Sequence, residues 1–325
     1  MNVPPTGGTR VAVEDLRALV FGIFHGVPLP EDHARLIADL LIDTELRGVV
    51  SHGVTQVERY VSSYREGRTN PRPEIRVLSE GPATAALSGD GGLGMIVATR
   101  AMQMAIVRAK EIGVGVVTTT YHDHVGSSGK YVRMALREGM IGISLSGRNA
   151  APSYDHSGSI RGSIQGSPPL AFGMPGGVGQ PRFLLDYASH FDMDEECFRK
   201  MPAVFIKAIG MSHVANILSG TLGGQMLPEF DRRNIAFTGA NQSGFHMALE
   251  VARFTSPEAF SDDMDYLMSE TSRMAPLPGF SESSLPGGRA WKKEEEYQVQ
   301  GIPISSEAMS SLAKLAAELG LSTPW

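Results

Sequence analysis

Val114-Gly115-Val116-Val117-Thr118-Thr119-Thr120-Tyr121-His122-Asp123-His124-Val125-Gly126-Ser127-Ser128-Gly129-Lys130-Tyr131 decides the fold class. Its first half is β-branched and apolar, the composition of a buried strand, and its second half is a Gly/Ser turn opening an amphipathic helix. Val132, Met134, Ala135 and Leu136 carry that helix to near Gly139, and the run from Ile141 to Ser146 reads as a second buried strand. Strand, helix, strand is the unit that lays neighbouring strands into a sheet, so an α/β fold is expected with these two strands side by side. The ends of such strands face crevices that ligands enter, and two histidines stand at this one.

Toward the amino end the pattern turns helical. Leu16, Leu19, Val20 and Ile23 share one helical face, and a second helix starts after Pro28-Leu29-Pro30 with Glu31 and Asp32 in its first turn. A third runs through Val57, Tyr60 and Tyr64. Two short apolar pieces, 75–78 and 84–87, predict a hairpin. Asp90-Gly91-Gly92-Leu93-Gly94 then opens a helix from about Ile96 to Ile112; with no P-loop lysine behind them, these glycines read as a turn rather than a phosphate cradle.

Toward the carboxyl end, 147–179 is rich in Gly, Ser and Pro and reads as loop, apart from a short strand at 169–174. Phe183 to Ala188 is a strand carrying Asp186, 192–200 a polar connector, and Ala203 to Leu218 a helix bearing Lys207. Strands are expected within 234–251, best at Leu249 to Ala252. Ser256-Pro257-Glu258 is a helix start, and that helix should reach about Arg273. Ser306 to Leu319 is the last expected helix.

With 325 residues, 42% of them hydrophobic, the chain can bury a large core as one big domain or two ordinary ones. A net charge of −6 with no Lys/Arg run argues against nucleic acid or an anionic membrane as partner. Cys197 is the one cysteine, which excludes an intramolecular disulfide. Met1 to Arg10 has no basic segment followed by an apolar one, and no uncharged apolar run reaches the ~20 residues of a membrane span, so a cytoplasmic protein is expected.

His124 is the first candidate for chemistry. An imidazole gives and takes protons near neutral pH, and the Val-Gly-Ser-Ser-Gly turn leaves room beside it. His122-Asp123-His124 also admits a metal-dependent hydrolase, since His-x-His at a strand end can hold a divalent ion. No second cluster with metal spacing accompanies it, and no metal is expected.

Taken in order along the chain, four segments are similar to the malate/L-lactate dehydrogenase family, which includes ureidoglycolate and sulfolactate dehydrogenases and Δ1-piperideine-2-carboxylate reductase. They are Arg47-Gly48-Val49-Val50-Ser51-His52-Gly53-Val54; Gly113 to Val117 with His124-Val125-Gly126-Ser127-Ser128-Gly129-Lys130-Tyr131; Gly166-Ser167-Pro168-Pro169-Leu170-Ala171-Phe172; and Leu285-Pro286-Gly287-Gly288. The resemblance implies a non-Rossmann NAD(P)-binding sheet domain particular to the family, placed at 122–281. It also implies a mainly helical substrate and dimerisation region built from the two chain ends, 1–121 and 282–325. The implied enzyme is a homodimer using NAD or NADP to move hydride to or from a small 2-hydroxy acid, 2-oxo acid or cyclic imino acid.

In that comparison His124 matches the proton-transferring histidine, with Ser51 and His52 on the substrate side and Gln56 and Tyr60 in substrate-binding positions. His122, Arg148, Ser167, Asp186, Tyr187, Ala188 and Lys207 fall in cofactor-binding positions, with Asp263 to Asp265 near them. The chain departs from the family at Gln56, commonly an arginine, and at Pro168, where an Asn is usual. It departs again at Arg148 and in a short 186–207 excursion with Val204-Phe205-Ile206 before the lysine. These departures motivate the alternative of a catalytically altered or inactive homologue acting as a binding protein.

Overall fold

The computed structural model describes residues 4–5, 8–148, 156–164, 166–177, 182–188, 195–224 and 236–325. The expected connector at 192–194, stretches of the expected loop at 147–179 and the start of the expected strand region at 234–235 lie outside them. In chain order the first elements are β1 (Thr9–Val11), α1 (Val13–His25), α2 (Glu31–Leu46), α3 (Val57–Arg65), β2 (Arg76–Glu80), β3 (Thr84–Ser88) and α4 (Gly94–Ile112). The central run is β4 (Val114–His122), α5 (Gly129–Arg137), β5 (Ile141–Arg148), β6 (Pro169–Met174) and β7 (Phe183–Ala188). After it come α6 (Glu195–Lys200), α7 (Pro202–Asn216), β8 (Gln242–Leu249), α8 (Pro257–Ser272), α9 (Gly288–Gln300), β9 (Ile302–Ile304) and α10 (Ser306–Glu318).

Seven strands form one mixed sheet in the order β2-β3-β4-β8-β5-β6-β7. The expected hairpin is the antiparallel pair β2 and β3, and β3 runs parallel to β4 through the α4 crossover. The expectation that β4 and β5 are neighbours is overturned: β8 lies between them, antiparallel to both. A strand-helix-strand pattern reports the helix that covers the gap, and it is blind to a strand arriving about a hundred residues later. The best strand segment in 234–251 is likewise corrected, because β8 ends at Leu249 and Val251–Arg253 is a 3-10 turn.

Helices cover both faces of the sheet. Ala98, Ala101, Met102 and Ala105 of α4 pack with Tyr131 and Ala135 of α5 over Leu87, Val117 and Ala248. On the other face Ala215 of α7 meets Leu145, Leu170 and Phe245. Gly115 allows the α4 side to come this close, since a Cβ there would stand 2.0 Å from the Ala105 carbonyl oxygen. The segment Pro202–Thr221 is long and apolar enough to span a bilayer by length and composition. It nonetheless lays Phe205, Ile209, Ser212 and Ala215 inward and carries Lys207.

A separate core joins the two ends of the chain. Leu16, Ile23, Ile37, Leu41 and Tyr60 pack with Tyr297, Leu312 and Leu315, and β1 pairs antiparallel with β9. The division drawn at 121/122 falls inside β4, so the sheet takes strands from both sides of it. The helix from Ser256 is present as expected, the Ser256 hydroxyl accepting the Ala259 N–H at 3.0 Å.

Candidate active site

The carboxyl end of β4 faces a long cleft of about 1790 Å³ between the sheet and the helices of the chain ends. Tyr121 takes the left-handed conformation at φ 52°, rare for a residue with a side chain, and the β4 register slips between Thr119 and His122. The bend ends strand alternation and separates the two histidines. His124 lines the cleft. His122 is fully buried, with Nε2 2.9 Å from the Thr119 hydroxyl and Nδ1 2.8 Å from the Asp123 carbonyl.

That geometry corrects two expectations. The placement of His122 in a cofactor-binding position fails because the residue has no surface in the cleft. The metal-site alternative fails with it, since both His122 nitrogens are already engaged. Burial lowers His122 to about 4, so it is neutral packing at neutral pH.

The loop carrying His124 is pinned by Asp123. One carboxylate oxygen accepts the His124 N–H at 2.7 Å, and the other accepts the Thr69 hydroxyl at 2.6 Å and the Ser63 hydroxyl at 3.2 Å. The Tyr60 hydroxyl lies 2.7 Å from His124 Nδ1, leaving Nε2 with no hydrogen-bond partner among the described residues. Tyr60 is 1% exposed and absent from the cleft wall, so its expected contact with substrate is corrected: it stands behind the imidazole.

His52 stacks on His124 with ring centroids 5.7 Å apart, and its Nδ1 lies 2.7 Å from the Ser51 hydroxyl. His52 lines the cleft, and Ser51 is exposed outside its wall. The turn is folded over a buried carboxyl: Glu45 accepts the Val54 N–H at 2.7 Å, and a Cβ on Gly53 would fall 2.0 Å from Glu45 Oε1, so glycine is required at that position.

Gln56 is corrected as well. Its amide donates to the Ser51 carbonyl at 2.8 Å, which braces the turn instead of facing the cleft. The cation on this wall is Arg59, one helical turn later, whose guanidinium donates to Gln56 Oε1 at 3.2 Å and lines the cleft.

Of the expected cofactor positions, Arg148, Ser167, Asp186, Tyr187 and Ala188 line the cleft. The buried Asp186 carboxylate accepts the Gly129 N–H at 2.8 Å, tying β7 to the first turn of α5. Lys207 does not reach the cleft. Phe205 and Ile209 turn their face of α7 to the sheet, which leaves Lys207 exposed on the other side. Asp265 reaches the far wall, accepting the Gly177 N–H at 2.8 Å.

Electrostatics favour anions. Eight lining residues are arginine or lysine and three are carboxylates, Asp186, Glu282 and Glu294, on a chain of net charge −6. Burial, then Arg59, His52, Lys130 and His122, holds His124 well below the usual histidine range. His52 is lowered by burial and then by Lys130 and Arg59. Lys130 is itself 1% exposed, with Nζ 3.5 Å from Met95 Sδ, and burial brings it to about 7. Arg59 and Glu45 carry no pattern that marks them in the sequence, and Asp123 and Lys130 stand within quoted segments that gave them no role. They matter through neighbours distant along the chain.

A family model described as malate/L-lactate dehydrogenase matches residues 11–190 and 195–313. The chain is 30% identical to a malate dehydrogenase of Pyrococcus horikoshii over 96% of each chain. The solved structure of that organism's malate dehydrogenase superposes with a TM-score of 0.83 at 30% identity, covering 98% of both chains. A sulfolactate dehydrogenase structure from Methanocaldococcus jannaschii gives 0.78 at 26% identity, covering 97% of this chain and 98% of that one.

Proposed function

Because the chain belongs to the malate/L-lactate dehydrogenase family, we propose that it is an NAD(P)-dependent enzyme acting on a small 2-hydroxy acid, its 2-oxo acid or a cyclic imino acid. It is an oxidoreductase of the CH–OH group of hydroxy acids. The observation carrying the finer reading is His124 on the cleft wall, backed by Tyr60 at 2.7 Å, with Arg59 on the same wall.

The cleft suits a dinucleotide in volume and in its excess of cations, and the guanidinium Nε atoms of Arg47 and Arg133 are buried without a partner among the described residues. Arg148, Ser167, Asp186, Tyr187 and Ala188 would hold it. When bound, the nicotinamide supplies or accepts the hydride. The chain's own task is the proton. With Nδ1–H donated to the Tyr60 phenol oxygen, Nε2 carries the lone pair that takes the hydroxyl proton of a hydroxy acid. In reduction the protonated imidazole returns it to the carbonyl oxygen, where negative charge develops.

Arg59 supports both binding and proton uptake. A guanidinium pairs with a carboxylate through charge-assisted bonds, and the paired charge then repels the imidazolium less. Substrate binding therefore favours the protonated form of His124 that reduction requires. Arg59 on the cleft wall supplies the kind of charge that the family commonly carries at position 56, which favours an active enzyme over an inactive homologue. The reading includes a cytoplasmic homodimer, which fractionation and light scattering test.

The deciding experiment is a fluorescence titration with NADH and NADPH, followed by a screen of 2-oxo acids and cyclic imines. Binding, with turnover abolished in His124→Ala at unchanged melting temperature, is the expected result. Absence of nicotinamide binding at millimolar concentration overturns the reading.

A further inference from the structure

Four arginines gather at the pole of the cleft farthest along α5 from His124. Arg47 caps α2 and pairs with Glu294 at 2.6 Å; Arg137 pairs with Asp43 at 3.2 Å, and Arg133 pairs with the same carboxylate. Arg182 donates to the Leu136 carbonyl at 3.3 Å. All four line the cleft, and the positive charges of Arg137 and Arg182 are close enough to Arg47 to disfavour its own protonation. Three carboxylates, Asp43, Glu294 and Asp186, thus face four guanidiniums, Asp186 standing close enough to Arg133 to favour its charged form.

The imbalance is partly buried. Arg133 is 7% exposed, and the Nε atoms of Arg133 and Arg47 are buried with no hydrogen-bond partner among the described residues. Guanidiniums that outnumber their carboxylate partners on one wall repel one another, and an anion carrying several acceptor oxygens relieves that repulsion. We infer that this cluster is a phosphate-monoester subsite and that the chain takes NADPH in preference to NADH. The inference rests on the nicotinamide reading above and goes further by naming the cofactor.

Charge and position both point to the 2′-phosphate. A phosphate monoester carries about −1.5 to −2 at neutral pH, which an excess of guanidiniums over carboxylates attracts, and its oxygens accept the parallel donors of arginine. His124 precedes the amino end of α5, while Arg137 and Arg182 stand at its carboxyl end. They are therefore separated by roughly 12 Å of helix at 1.5 Å per residue. A group shared by both cofactors, the central pyrophosphate, belongs between these ends.

The test measures dissociation constants for NADPH, NADH, adenosine 2′,5′-bisphosphate and 5′-ADP on the full-length protein, on Arg137→Gln and on Arg137→Gln/Arg182→Gln. Melting curves accompany each variant. The expected result is NADPH binding about tenfold or more tighter than NADH in the parent, with the ratio collapsing toward one in the double variant. Equal affinities in the parent, or a double variant that weakens both cofactors by one factor, overturns the inference in favour of a pyrophosphate contact or an internal brace. If neither nicotinamide cofactor binds while the 2′,5′-bisphosphate does and 5′-ADP does not, the subsite stands and the dehydrogenase mechanism falls. If none of the four ligands binds, both fall.

Discussion

The Tyr60 hydroxyl and His124 Nδ1 lie 2.7 Å apart, joining residues 64 positions distant in the sequence. Burial pushes the Tyr60 phenol well above its ordinary pKa, so it stays neutral and orients the imidazole as a hydrogen-bond partner. Tyr60→Phe keeps the ring and removes the hydroxyl. Turnover is expected to fall by about tenfold, the worth of one lost hydrogen bond, with KM little changed. Steady-state kinetics with undiminished kcat would remove the orienting role.

Arg59 lines the cleft beside His52 and His124 and is the cation proposed to meet the substrate carboxylate. Arg59→Gln is expected to raise KM for a carboxylate substrate about tenfold or more, as loss of a charge-assisted bond implies. The same change removes a positive neighbour that holds His124 down. The acid limb of kcat/KM for hydroxy-acid oxidation, which needs neutral His124, should therefore move to higher pH. A pH profile that stays in place would separate Arg59 from the histidine.

Glu45 sits under the Ser51-His52-Gly53 turn, and burial raises it to about 7 from the ordinary 4.5. The folded protein then binds more protons than the unfolded one between those values, so this group's contribution to stability falls as pH rises from 4.5 to 7. Glu45→Gln keeps an acceptor for the Val54 N–H and carries no charge. It should be more stable than the parent at pH 8, by on the order of 3 kcal/mol, with the gain disappearing near pH 4.5. Buried His122, lowered to about 4, works in the opposite sense: its contribution is whole above pH 6.5 and is lost as pH falls toward 4. Denaturant melts at pH 4.5, 6 and 8 on the parent and on Glu45→Gln resolve the two.

Lys207 is exposed on the face of α7 turned away from the sheet. Lys207→Ala should change stability by no more than about 0.5 kcal/mol and leave nicotinamide affinity as it was. A tenfold loss of cofactor affinity would mean that the lysine reaches the cleft in solution.

Local chemistry made much of the architecture legible. Apolar spacing marked α1, α2, α4 and α10, the Ser256-Pro257 start marked α8, and β-branched runs marked β4 and β5, because each signal is written within a few residues. The insertion of β8 between β4 and β5 was not legible, because strand neighbours are chosen by packing across the sheet. Nor were β1 and β9, three residues each, whose pairing joins the two ends of the chain.

For the candidate site, the sequence by itself singled out His124 and its Gly/Ser turn, which line the cleft, together with the four segments that mark the family. Only the tertiary structure decided which side each histidine serves. The left-handed Tyr121 buries His122 and turns His124 to the cleft, and no pattern of residue types announces a backbone bend at a tyrosine. It also put Arg59, and not Gln56, on the cleft wall and set four arginines against three carboxylates. Charge and hydrogen bonding act through space, and the partners that give these side chains their roles come from helices and strands far apart in the chain.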